Sequence, residues 1–110
     1  MLSGITALSR VFTYSATKAA VINLTQNLAR EWAAIGIRVN ALSPGPIATR
    51  AASGIAHFDD LIDQARARAP ERQLVSIREV GDMAAFLISD RARSITGDVT
   101  YIDAGFHIMS

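Results

Sequence analysis

The sequence predicts an α/β fold built on a parallel sheet, and two stretches carry that prediction. Residues 14–50 read as a long helix, a glycine stop, a short apolar strand and a Pro/Gly-rich turn leaving it. Residues 76–105 read as a helix, a last strand and a further turn. A strand that feeds such a turn fits an open α/β sheet.

The first helix is expected from about Phe12 to Ala34, with Val21, Leu24, Leu28, Trp32 and Ile35 close to the 3.6-residue period of a core-facing stripe. Ala16, Ala19, Ala20 and Ala29 keep other parts of its surface small, and Trp32 reads as a core or interface residue. Gly36 supplies the left-handed residue that ends such a helix. Ile37 to Leu42 reads as the strand, within which Asn40 either supports the active-site backbone or makes a structural hydrogen bond, the second being the expected role. Ser43-Pro44-Gly45 turns the chain out of the sheet, at the carboxyl end of a strand, where open α/β sheets bind ligands.

Small and apolar residues around Gly54 then suit a mobile lid over a water-excluding site. A short helix is expected over Leu61 to Ala69, stopped by Pro70. Ser76 precedes Glu79 by three, the spacing of a capping box, and opens a helix carrying Val80, Met83, Ala84, Phe86 and Leu87. Ser89-Asp90 closes it, Ile95 to Ile102 forms the last strand around Gly97, and Asp103-Ala104-Gly105 makes the turn after it.

Tyr14 and Lys18 are four residues apart, so on a helix they share one face about 5 to 6 Å apart at Cβ. A nearby ammonium favours the phenolate, which brings a phenol toward usable acid or base strength near neutral pH. The spacing alone is common. Its continuation is not.

YSATK, then a helix, then IRVNALSPGPIAT, with Pro44 26 residues after Lys18, resembles the short-chain dehydrogenase/reductase family, which couples YxxxK to a PG turn. The resemblance implies the carboxyl-terminal half of a Rossmann-type, doubly wound parallel sheet, with residues 1–110 forming a single partial domain. It implies an oxidoreductase that uses NAD or NADP. By it Tyr14 matches the catalytic acid/base, Lys18 the residue that holds the nicotinamide ribose and tunes the tyrosine, and Pro44, Gly45, Ile47 and Thr49 the turn that grips the carboxamide end. The helix after YxxxK lies at an oligomer interface in the family, so a homo-oligomer is expected.

The segment PGPIATRAASGIAHFDD and the tail VGDMAAFLISDRARSITGDVTYIDAGFHIMS resemble the enoyl-acyl-carrier-protein reductases of that family. That likeness implies that Pro46, Ile47, Ala51, Ile55 and Phe58 line the slot for an acyl thioester, in fatty acid biosynthesis. One departure stands beside it. Enoyl reductases place their tyrosine seven residues before the lysine, where this chain has Val11, whereas Tyr14 keeps the YxxxK spacing of dehydrogenases and ketoreductases. An enoyl thioester is the preferred substrate, a small ketone or alcohol the alternative.

Upstream features of the family lie outside this sequence. No G-x-x-x-G-x-G turn for a pyrophosphate occurs, and the family's catalytic serine falls at or before Met1, with Ser3 a substitute only if the loop is shorter. A third reading follows, a truncated fragment that acts only through packing or association.

Composition narrows the remaining classes. Of 110 residues half are hydrophobic and 19% charged, and 11 Lys+Arg against 10 Asp+Glu leave a net charge of +1, which gives no electrostatic case for nucleic acid or anionic membrane. Arg66, Arg68, Arg72 and Arg78, interspersed with Asp60, Asp63, Glu71 and Glu79, read as a solvated face. The absence of cysteine removes disulfide, thiolate-metal and thiol chemistry. His57 and His107 lack the paired partners of a metal site, so no metal is assigned. With no apolar run of about 20 residues and no basic leader, a cytoplasmic location is expected.

Overall fold

The computed structural model describes residues 12–47, 58–70 and 73–109, with backbone alone at residues 12–14, 58 and 61. Helix α1 runs Phe12–Trp32 and tightens into a 3₁₀ turn, Ala33–Ile35. Strand β1 is Ala41–Pro44, helix α2 Phe58–Arg68, helix α3 Ile77–Ile88 and strand β2 Val99–Ile102, and a 3₁₀ turn over Phe106–Met109 follows. The chain divides into two compact units. The first holds residues up to Ser43 with Phe86–Thr100, the second Pro44–Ala85 with Tyr101 onward.

Among the described residues two strands form the sheet, β1 beside β2. The Ala41 amide donates to Asp98 O at 2.9 Å and the Gly45 amide to Ile102 O at 3.0 Å. Both partners advance by four, so the strands are parallel, and α2 and α3 lie in the crossover between them, as expected. The strand begins four residues later than the apolar run suggests. Ahead of Ala41 the pairing groups are spent on the loop before β2: Thr96 Oγ1 accepts the Val39 amide at 3.1 Å, and Val39 O accepts Gly97 N at 2.7 Å. Asn40 spans the same loop, donating from Nδ2 to Ile95 O at 3.0 Å and accepting Asp98 N on Oδ1 at 3.1 Å, so its role is structural. Its amide replaces a ladder rung.

In the first unit, Gly36 caps α1 at φ 79°, with its amide on Ala33 O and that of Ile37 on Trp32 O. The buried positions of α1 are Thr25 and Ala29, flanked by half-buried Ser15, Lys18, Ile22 and Leu28. This corrects the expected stripe. Val21 is 39% exposed, Leu24 55%, Trp32 38% and Ile35 69%. Periodicity reports an apolar face without saying what covers it, and here the chain packs on the small residues instead. A Cβ built on Gly97 would come within 3.5 Å of Ala29, an approach a larger residue at position 29 would prevent.

Helix α3 opens with the expected capping box: Glu79 N donates to Ser76 Oγ at 3.1 Å, and Ser76 N to Glu79 Oε2 at 2.7 Å. Its inner face is Leu87, buried, with Val80, Met83 and Ala84 half-buried, whereas Phe86 is 37% exposed. In the first unit Arg38 closes the other end. Its guanidinium donates to Leu87 O at 2.6 Å, Ala92 O at 2.8 Å and Ser89 O at 3.3 Å, satisfying carbonyls that a helix end leaves open.

Helix α2 starts three residues before the expected Leu61, with Asp59 and Asp60 in its first turn, favourable against the helix dipole. Of its charged face, Arg66 makes an exposed pair with Asp63 at 3.7 Å. Arg68 does more than face solvent. It lies over the Phe106 ring, 5.5 Å from the centroid, and donates to Met109 O at 3.4 Å. Among the described residues no helix is long and apolar enough to cross a membrane.

Candidate functional site

Tyr14 and Lys18 both lie in α1, whose helical backbone from Phe12 onward puts their Cβ atoms on one face, one turn apart. Lys18 is half-buried and shares a helix face with Ile22 and Thr25. Ser15, next to the tyrosine, has a buried Oγ. Helix α1 thus carries both residues on one continuous stretch of helical backbone.

In the second unit the turn after β1 is held from two directions. Gly45 donates to Ile102 O, which extends the parallel ladder one step past the strand. A Cβ built on Gly45 would stand 2.7 Å from Asp103 Cβ and 2.9 Å from Asp103 Cα, closer than real Cβ atoms approach anything. The two chain segments that leave the carboxyl ends of β1 and β2 therefore touch backbone to backbone. Pro46 and Ile47 follow, half-buried, and Ile47 lines a cavity of about 360 Å³ with Leu74, Val75, Ser76 and Ile77. Its walls are apolar apart from the serine. Proline before and after Gly45 fixes φ on both sides, so the turn is presented with little freedom to lose.

Behind Gly45, Asp103 is buried and accepts three hydrogen bonds. Oδ1 takes Gly105 N at 3.0 Å, and Oδ2 takes His107 N at 2.8 Å and pairs with His107 Nδ1 at 2.7 Å. The His107 ring stacks on Tyr101 at 3.9 Å between centroids, 13° from parallel. These residues border a second cavity of about 420 Å³, shared with Gln73, Leu74, Val75 and Glu79. Among the described residues no group of three or more potential ligands is placed to hold a metal ion.

Thr49, Ala51 and Ile55 lie outside the described residues, as do Ser3 and His57, and the side chains of Tyr14 and Phe58 do as well. Asp103 and His107 carry no metal-ligand spacing and no motif that marks them in the sequence as neighbours of the turn. The usable signal was Asp103-Ala104-Gly105, in which an aspartate can accept the amide two residues on.

The match to known proteins covers nearly the whole chain. Residues 1–107 fit the family model for enoyl-(acyl carrier protein) reductase. The NADH-dependent enoyl-acyl-carrier-protein reductase of Bacillus cereus is 42% identical over 92 residues, 84% of this chain and 36% of that protein. Its Neisseria meningitidis counterpart is 53% identical over 73 residues, 66% of this chain and 28% of that protein. A crystal structure of the Bacillus cereus enzyme with NADP+ and indole naphthyridinone superposes with a TM-score of 0.88 at 38% identity, covering 99% of this chain and 42% of that one. The Aquifex aeolicus enzyme gives 0.85 at 37% identity, covering 98% and 42%. The chain thus spans well under half the length of the relatives it matches. Helix α1, the PG turn and the carboxyl-terminal strand all fall inside the matched region, and the chain belongs to the short-chain dehydrogenase/reductase family, among its enoyl-acyl-carrier-protein reductases.

Proposed function

We propose that this chain is the carboxyl-terminal part of the single catalytic domain of a cytoplasmic, NAD(P)H-dependent enoyl-acyl-carrier-protein reductase. The observation that carries the reading is the PG turn, held at the carboxyl end of a parallel strand by the Gly45 amide and the Gly45–Asp103 contact. In such folds that end receives the ligand. Two features support the nicotinamide end of the cofactor: the ammonium of Lys18 suits a ribose diol, and the backbone carbonyls of the Pro44–Ile47 turn suit the amino group of a carboxamide. Nothing in this sequence matches the glycine-rich turn for the pyrophosphate end.

A bound reduced nicotinamide supplies the hydride to the β-carbon of the enoyl thioester. Tyr14 holds a proton at its hydroxyl and gives it to the enolate that forms, while Lys18 orients the ribose and favours the phenolate left behind. Pro44, Gly45, Ile47 and Thr49 take the carboxamide end. Pro46, Ala51, Ile55 and Phe58 border the acyl chain and exclude water from it.

Titration of NADH and NADPH into the 110-residue chain by calorimetry tests the reading. Saturable binding at millimolar cofactor is expected, weakened about tenfold by Lys18→Ala, a loss of about 1.4 kcal/mol, and unchanged by Tyr14→Phe. A folded chain that binds neither cofactor overturns it. Where binding holds, oxidation of NADH by an enoyl thioester in preference to a ketone separates the two substrate readings.

A homo-oligomer is part of the same proposal. Val21, Leu24, Trp32 and Ile35 give α1 an apolar face that its own unit leaves exposed, which favours a second copy as its cover. Sedimentation is expected to show a dimer or larger species that Leu24→Lys with Ile35→Lys converts to monomer. A wild-type monomer at tens of micromolar excludes it.

A further inference from the structure

We infer that Asp103 and His107 are positioning residues for the Pro44–Ile47 turn, acting through Gly45. The inference rests on the reading of that turn as the cofactor's. Neither residue is given a role by the resemblance, and both are tied to the turn by geometry within one unit. Gly45 leaves no room between itself and the Cα and Cβ of Asp103, so the place of Asp103 fixes the place of the turn. The carboxylate fixes Asp103 in its turn. It is the common acceptor of Gly105 N, His107 N and His107 Nδ1, all between 2.7 and 3.0 Å.

The cluster is also held from outside. Tyr101 stacks on one face of the His107 ring, and Arg68 on α2 covers Phe106 and reaches Met109 O, pinning both ends of the turn that carries His107. Ala104 sits at φ 53°, a left-handed conformation that a residue with a Cβ adopts only when its surroundings impose it. The strain is sustained next to the carboxylate, beside the candidate site.

Two measurements on the 110-residue chain test this, hydrogen exchange without cofactor and NADH titration. Asp103→Ala is expected to speed exchange of the Gly45 amide at least tenfold, with those of α1 unchanged, and to weaken NADH binding about tenfold. Asp103→Asn retains an acceptor oxygen and recovers part of both. His107→Ala gives a smaller change of the same kind, because the backbone amide of residue 107 still reaches Oδ2. Uniformly faster exchange across both units would mean general destabilisation and overturns the inference, as does unchanged exchange at Gly45. Tenfold faster exchange at Gly45 in a chain whose wild type binds no NADH upholds the coupling and overturns the reading of the turn.

Discussion

Arg38→Met is expected to lower the stability of the chain by about 2–4 kcal/mol, read as a fall in urea midpoint at unchanged slope. Three carbonyls at the end of α3 and in the turn after it, those of Leu87, Ser89 and Ala92, share one guanidinium as their donor. Methionine keeps the apolar stem and removes every donor, so Leu87 O loses its charged partner while Ser89 O and Ala92 O keep only the amides of Ala92 and Ile95, and the cost is that of the lost charge-assisted bonds. Hydrogen bonds to a charged group run about 1.5–3 kcal/mol each and are not additive when they share that group, which sets the range. Arg38→Lys recovers less than half, since an ammonium on a flexible stem cannot place three donors across a planar fork. Asp63→Asn makes the contrast. Its pair with Arg66, 3.7 Å long and exposed on both sides, moves the midpoint within error. Equal effects of the two would refute the assignment of Arg38 as a helix closure.

How much of this was legible follows from what each signal physically encodes. Caps and stops are local chemistry, so the Ser76–Glu79 box and the Gly36 terminus stand where the sequence puts them. The order of helices and strands was legible for the same reason. Register was not. Ile37 and Val39 are β-branched and alternate with polar residues as a strand entrance does, yet the polar groups of Val39 and Asn40 pair with a loop some 55 residues away, and pairing at that distance leaves no local mark. The stripe on α1 failed differently. Leu24 and Trp32 obey the helical period but lie outside their own unit's core, because Thr25 and Ala29 permit the closer approach. A periodic apolar face says that something covers it, and leaves open whether that is this chain or another. Of the site, Tyr14, Lys18 and Pro44–Gly45 carried a motif, whereas Asp103 announces only a turn; its contact with Gly45 exists because two strand ends meet in space.

That contact gives the second large effect. Gly45→Ala is expected to destabilise by about 2–3 kcal/mol, within the range for inserting a methyl into a filled space. The sign is the test. Glycine to alanine at an unstrained position ordinarily stabilises by about 0.4–1 kcal/mol, because the unfolded chain loses freedom. Gly81, at the exposed middle of α3 with nothing within 4 Å of a built Cβ, is such a position, and Gly81→Ala should raise stability by about 1 kcal/mol. At Gly45 the same methyl meets Asp103 Cβ at 2.7 Å and Cα at 2.9 Å, atoms that cannot swing aside as the tip of a long side chain could. Either the strand end retreats and the Gly45–Ile102 hydrogen bond lengthens, or Asp103 moves and its three acceptor contacts with Gly105 and His107 open. Both routes displace the turn proposed to receive the carboxamide, so NADH affinity falls with stability in Gly45→Ala and stays unchanged in Gly81→Ala. Thermal or urea unfolding of the two variants beside wild type checks the signs, and a Gly45→Ala chain as stable as wild type would show that the two strand ends are not in the contact described.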